Sequence, residues 1–325
     1  MSTTEQCDVV VVGAGVAGLT TAVCLAEAGL RVRVWTSDSP QNTASAAAGA
    51  MWGPSFLGPQ EKVVGWLHAT LVELTDLAAR SGTGVHLSKG RMAARFDLGA
   101  QLPPQVTMVP GLQSCRSEEL PAGFVSGYWG TVPLVDMPRY LDYLTERLAQ
   151  AGGRLEMRPV RALTEAAQEA PMVVNCSGIG ARELVGDHEL RPMRGQQVVV
   201  ENPGLDEFFA EVAEGSEWVN YFPHDNHVVL GGIAQPDNWT LEPDPRTASE
   251  ILERCAKVEP RLRDARVIGH LVGLRPDRPA VRVEREALGQ ATSGTAICVH
   301  NYGHGSTGVS LSWGCAREAA DLVTE

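Results

Sequence analysis

Three glycines at fixed spacing are the residues of this chain best suited to holding a phosphate. Gly13-Ala14-Gly15-Val16-Ala17-Gly18 follows a strand-like run and opens a helix-like one. In that setting Gly13 makes the tight turn and Gly15 lets backbone approach a pyrophosphate. Gly18 lets helix and strand pack closely, and the N–H groups of the helix start face the anion. Ala14, Val16 and Ala17 lie within the same cradle. A tight turn without a ligand is the competing reading, and the flanking elements argue against it. An acid on the ribose hydroxyls is expected about twenty residues on. Asp38 stands there, slightly late behind Thr36 and Ser37. Asp38 is the favoured ribose ligand; Ser37 sharing the role and a solvated turn aspartate stay open. No basic residue follows to hold a 2′-phosphate, which leaves NAD and FAD.

The elements that position this cradle are legible nearby. Asp8–Val12 is a β-branched run of the kind buried on both faces of a parallel sheet. Leu19–Ala28 is a helix of good formers closed by Gly29, and Leu30–Trp35 a second strand, completing one βαβ unit. Helical patterns recur at Glu61–Ala79, Pro138–Ala151, Ser249–Lys257 and Gly308–Val323. Leu155–Met157, Met172–Val174 and Thr295–His300 read as further strands of the same kind. Between them Val85–Leu87, Met92–Phe96, Phe124–Tyr128, Val198–Val200, Trp218–Phe222 and His227–Leu230 alternate around turns, as in an antiparallel sheet.

Composition bounds the partners. The 325 residues, 44% hydrophobic and 20% charged, are those of a folded globular chain, long enough for two domains. Twenty-seven basic against thirty-nine acidic residues give a net charge of −12, the wrong sign for nucleic acid or an anionic membrane. No apolar run is long enough to span a bilayer, and Met1–Gln6 lacks the basic start of a signal peptide. The seven cysteines form no CxxC pair, and several sit in apolar runs. They read as buried thiols of a reducing, cytoplasmic setting, with no metal site.

The C-terminal third discriminates between the two dinucleotides. Val299-His300-Asn301-Tyr302-Gly303-His304-Gly305-Ser306-Thr307-Gly308 resembles the signature of the D-amino acid oxidase family of FAD-dependent amine oxidases. Ala47–Trp52, Val174–Gly178 and Gly273–Glu284 resemble further segments of that family, in its order and spread along the chain.

The resemblance implies an α/β fold in which an FAD-binding Rossmann-like domain is interleaved with a substrate domain built on a mostly antiparallel sheet. The expected division is 1–55, 135–182 and 275–325 for FAD, and 56–134 and 183–274 for substrate, with parts of 56–80 packing on the FAD domain. It implies oxidative deamination of D-amino acids with O2 as acceptor and non-covalent FAD, which carries the redox step. No side chain acts as acid or base. His300 and His304 are structural hydrogen-bonders in this reading.

By the resemblance, Arg275 is the bidentate carboxylate ligand, while Arg278 and Arg282 lie nearby without that role. A tyrosine donor to the carboxylate is implied on Val219–Pro223. Strict register puts Asn220 there; a bulge would restore Tyr221, the favoured ligand. The carbonyl of Ser306 accepts from the substrate amine. Gly305, Ser306, Thr307, Gly308, Val309 and Ser310 line the flavin. Thr43 and Ser45 meet phosphate and ribose oxygens, Gly49, Ala50 and Met51 run past the ring, and Val160 and Ser177 lie toward the adenosine. Arg275 also borders the cofactor. Met51, Phe56, Trp218 and Phe222 are the expected apolar pocket. A D-aspartate or D-glutamate oxidase would need a second cation, for which His224 or Arg278 stands nearest. A non-catalytic FAD-binding protein would have no use for Arg275. A homodimer is compatible with the family.

Overall fold

The computed structural model describes residues 7–291 and 294–325, so the leader reading of Met1–Gln6 lies outside the described residues. Among the described residues the strands form two sheets. The first has six strands in the order Arg282–Ala291, Gly294–Tyr302, Met172–Asn175, Val9–Val12, Val32–Thr36 and Arg154–Met157. It is parallel except for the edge strand Arg282–Ala291, which runs antiparallel to Gly294–Tyr302.

Val9–Val12 sits at its centre for a simple reason. Val9 and Val11 enter one hydrophobic cluster, and Val10 and Val12 the cluster on the other face. A continuous valine run can be buried twice in this way, where an alternating one could not. The following helix, Val16–Glu27, packs on Met137–Gln150 and on the last helix, Gly308–Thr324. Met137–Gln150 buries Met137, Tyr140, Leu141, Leu144 and Leu148, one stripe at helical spacing. Each such side chain contributes ~1.5–3 kcal/mol of transfer free energy. The Tyr140 hydroxyl accepts from Trp313 Nε1 at 2.7 Å, tying that helix to the last one.

The second sheet has nine strands and is antiparallel except where Phe208–Glu211 runs parallel to Val85–Ala94. Its long members are Val85–Ala94, Ser126–Val135, Arg191–Glu201, Glu217–Pro223, His227–Ile233 and Val267–Asp277. Two pieces expected separately, Val85–Leu87 and Met92–Phe96, fall in one strand, Val85–Ala94, which ends before Arg95 and Phe96. The strand Val267–Asp277 pairs along Arg191–Glu201, with Arg275 opposite Met193. A domain boundary at 275 therefore falls inside a strand of the second sheet. Helix Gln60–Ala78 packs on Gly308–Thr324, where Gly314 lies against the Trp66 backbone.

Candidate active site

A cleft of ≈ 1020 Å³ lies between the sheets, at the C-terminal ends of the parallel strands Val9–Val12, Val32–Thr36 and Met172–Asn175. That edge is where open α/β sheets take ligands. Gly13, Ala14, Gly15, Val16 and Ala17 line it. Gly13 has φ +109°, and a Cβ there would overlap the Cys176 carbonyl, so only glycine fits the turn. A Cβ on Gly15 would stand 3.0 Å from Ser45 Oγ, on the cleft side. Gly18 is not part of the lining; a Cβ there would overlap the Gly13 carbonyl, so it serves helix–strand packing.

The helix start faces the cleft with no side-chain cap and no acid in its first turn. The positive dipole end is left to face an anion. Ser45 Oγ accepts from Val16 N at 2.9 Å, so Ser45 is held at the cradle, with Thr43 beside it. Ser37 and Asp38 line the outer end, where Ser37 Oγ donates to Asp38 Oδ2 at 2.7 Å. Val160 lies across from them next to Arg158, whose guanidinium stacks 3.7 Å over Trp35. Ser177 completes this end. The residues fit a dinucleotide: a cradle that a Cβ would fill, a helix N-terminus without an acid in its first turn, and an acid, Asp38, at the outer end of the cleft.

The other end is built by Gly49, Ala50 and Met51 against Gly305, Ser306, Thr307, Gly308, Val309 and Ser310. Ser310 Oγ accepts from Gly53 N at 3.0 Å, and Thr307 Oγ1 meets Ser55 Oγ at 2.9 Å, which locks the two segments together. Helix Gly308–Thr324 also starts here without an acid in its first turn. His304 is buried, and its Nε2 has no partner. Desolvation pushes its pKa down to about 4, so the ring is neutral at ordinary pH.

Arg275 reaches this end from the second sheet. Its Nη1 donates to the Ile233 carbonyl at 3.0 Å, and its guanidinium lies 5.9 Å from the Trp218 ring centre. Gly195 leaves the space it occupies. Desolvation pulls its pKa down and Asp277 pulls it back up; an arginine remains charged throughout. Beside it, Trp218 Nε1 donates to Asn220 Oδ1 at 2.8 Å, while Asn220 Nδ2 is buried without a partner. A buried amide donor with no acceptor costs ~1–3 kcal/mol, a cost that an anion in the cleft would remove.

Tyr221 corrects the expectation drawn from the family pattern. It points to the opposite face, stacks on Phe209 with ring centres 5.6 Å apart, and joins the core under helix Pro245–Val258. The strand does carry a register shift, but between Glu217 and Asn220, before the residues in question. From Asn220 on the pairing is regular, so side chains alternate and Tyr221 faces away. Met51, Trp218 and Phe222 line the cleft as expected. Phe56 does not: it is 59% exposed and outside the lining.

Neither candidate second cation reaches the ring end. His224 faces a separate pocket, and burial beside His227, His86 and Arg139 pushes its pKa down to about 3. Arg278 pairs with Asp187 at 3.0 Å and Glu189 at 2.8 Å. Arg282 pairs with Glu284 and Glu286. His300, buried, bonds Asn175 and Glu286. Gln197 and Asn301 line the cleft unanticipated, each with a buried side-chain oxygen that lacks a partner. The signal for Gln197 was weak: it follows Gln196 and only borders the apolar run Val198–Val200. Among the described residues no group of histidine, cysteine or acidic side chains could hold a metal, and no helix is long and apolar enough to cross a membrane.

A family model described as FAD dependent oxidoreductase matches residues 8–322. A D-amino-acid oxidase of Rubrobacter xylanophilus is 48% identical over 314 residues, covering 97% of this chain and 95% of its own. A D-amino-acid oxidase of Streptomyces coelicolor is 46% identical, covering 98% and 97%. Among solved structures, glycine oxidase from Geobacillus kaustophilus superimposes with a TM-score of 0.81 at 20% identity, over 98% of this chain and 94% of its own, a likeness of fold.

Proposed function

The chain belongs to the family of FAD-dependent oxidoreductases, and from that premise we propose that it oxidises neutral, apolar D-amino acids. FAD held in the cleft would supply the redox chemistry, two-electron oxidation of the substrate at Cα with O2 reduced to H2O2, and water would hydrolyse the resulting imino acid to a 2-oxo acid and ammonia. The protein's own residues bind and orient. Arg275 holds the substrate carboxylate as a charged fork, and Asn220 Nδ2 gives it a further donor. The Ser306 carbonyl accepts from the amine. Together these fix the Cα–H toward the ring end of the cleft, a contribution of positioning. Met51, Trp218 and Phe222 exclude water and take the apolar side chain.

One observation carries the reading: a desolvated guanidinium and a partnerless amide donor share the cleft with the dinucleotide cradle. With no further free cation at that end among the described residues, a second substrate carboxylate is disfavoured. A peroxide-coupled panel of D- and L-amino acids tests it. Activity with D-Ala, D-Val and D-Met, little with D-Asp and none with L-isomers is expected; activity confined to D-Asp and D-Glu would overturn the apolar assignment.

The FAD is held non-covalently. Cys176, the cysteine lining the cleft, lies by Gly13 with its thiol pushed up to about 12 by burial, and so offers no thiolate. Acid precipitation should therefore leave yellow flavin in the supernatant. The cofactor is assigned to segments 1–55 and 135–182 and, with the boundary moved from 275 past the strand Val267–Asp277, to 278–325; the substrate is assigned to 56–134 and 183–277, which carries Arg275. Seven free cysteines fit a reducing cytoplasm. A homodimer is the assembly to test, by light scattering.

A further inference from the structure

A chain of side chains runs from the protein surface to the turn against Gly13. Ser177 N donates to Asn175 Oδ1 at 3.3 Å and Ser177 Oγ donates to the same oxygen at 2.6 Å. A backbone N–H can only donate, so the amide oxygen must face Ser177. The amide nitrogen Nδ2 then points at His300 Nδ1, 3.2 Å away, which must offer a lone pair. The ring proton is left on Nε2, which meets Glu286 Oε1 at 2.8 Å. Asn175 and His300 are fully buried, and the Glu286 side chain is partly exposed. Ser177 and its neighbours line the cleft.

We propose that Glu286, His300 and Asn175 form a positioning relay that holds the Cys176–Gly178 turn in its FAD-binding shape, and that protonating His300 releases it. A second proton would sit on Nδ1 and confront the amide donor. Asn175 would turn its oxygen to the ring, and Ser177 N–H would lose its acceptor. The groups facing the ring are Glu286, Glu284 and Arg282 from the edge strand, Cys298 and Tyr302 from its own strand, and Asn175. Burial outweighs Glu286 and keeps the ring neutral in the fold. FAD affinity is therefore full above the pKa of His300 and falls below it, up to ~tenfold per pH unit.

The relay rests on FAD occupying this cleft. The experiment follows flavin released from diluted holoenzyme between pH 8 and pH 5, by flavin fluorescence. His300→Gln can accept from Asn175 and donate to Glu286, but takes up no proton. It should hold FAD within ~threefold of wild type at pH 8 and show a clearly weaker acid limb than wild type, keeping only the part owed to His224 and His304. Asn175→Leu should release more FAD, ~tenfold or beyond, at every pH. Glu286→Gln, a change at the surface, still accepts from Nε2 but removes the charge that favours the imidazolium. Its acid limb should move to lower pH with pH 8 retention unchanged. An acid limb undiminished in His300→Gln or unmoved in Glu286→Gln overturns the relay. So does Asn175→Leu holding FAD as wild type does. Protein that carries no flavin at pH 8 and cannot be reloaded would instead overturn the cofactor assignment.

Discussion

Asn220 and Tyr221 are neighbours in one strand and belong to different parts of the molecule. Asn220 turns a partnerless Nδ2 into the cleft beside Arg275, while the Tyr221 ring stacks on Phe209 in the core of the second sheet. Exchanging the two roles would require a one-residue slip of the strand, which would also drive Val219 and Phe222 to the wrong faces.

Kinetics on one good D-substrate should separate the pair. Hydrogen bonds to a charged group contribute ~1.5–3 kcal/mol, so Asn220→Ala should raise KM roughly ten- to hundredfold. Tyr221→Phe should leave KM within about twofold, because it removes no contact to the cleft. A larger KM effect for Tyr221→Phe than for Asn220→Ala would refute the placement.

Arg275→Ala should leave FAD bound and cripple turnover. It removes a charge-assisted fork in a partly dry site, ~3 kcal/mol or more, or about a hundredfold in kcat/KM. Arg275→Lys should recover only part, since an ammonium cannot make the bidentate contact. Arg282 is tied to Glu284, Glu286 and the Tyr302 hydroxyl, so Arg282→Ala should spare kcat/KM; equal damage would mean the wrong arginine.

The second and third glycines of the turn should fail differently. Gly15→Leu places a side chain in the cleft near Ser45 and should yield folded, colourless protein. Gly18→Ala drives a methyl into the Gly13 carbonyl and should cost ~1–3 kcal/mol of stability as overpacking. Flavin absorbance and a denaturant titration on each variant read these outcomes. A yellow, fully loaded Gly15→Leu would contradict the cradle.

Acid should destabilise the fold through its buried histidines, of which His224 and His304 are shifted furthest. His224 and His304 have folded pKa values of about 3 and about 4 against an ordinary 6.5, with burial the leading cause in each. Between pH 6.5 and 4 the unfolded chain binds protons that the folded chain refuses, so stability falls as pH falls through that window. The slope is at most ~1.4 kcal/mol per pH unit for each histidine. Denaturant midpoints measured across pH 4–7 for wild type and His304→Gln should show the shallower dependence in the variant. Parallel curves would show that His304 is protonated in the fold.

The first strand, the glycine turn and the helix after it were legible because their determinants are local. Four consecutive valines, three glycines at fixed spacing and Gly29 at φ +90° specify strand, cradle and helix end within a few turns of chain. The antiparallel strand Val267–Asp277 was not legible as a strand. Its partner Arg191–Glu201 lies some seventy residues away, and the Gly-Leu-Arg-Pro stretch carries little strand preference of its own.

What the sequence by itself determined is therefore the strand, glycine turn and helix at the edge of the cleft and the two kinds of sheet, through residue types that only one local geometry can use. What only the tertiary structure decided is which side of a strand a residue serves. Whether Asn220 or Tyr221 faces the cleft depended on where the register shift fell and on which face of the sheet helix Pro245–Val258 covers. A period of two leaves both faces equally allowed along the chain, and only packing between distant segments breaks that tie.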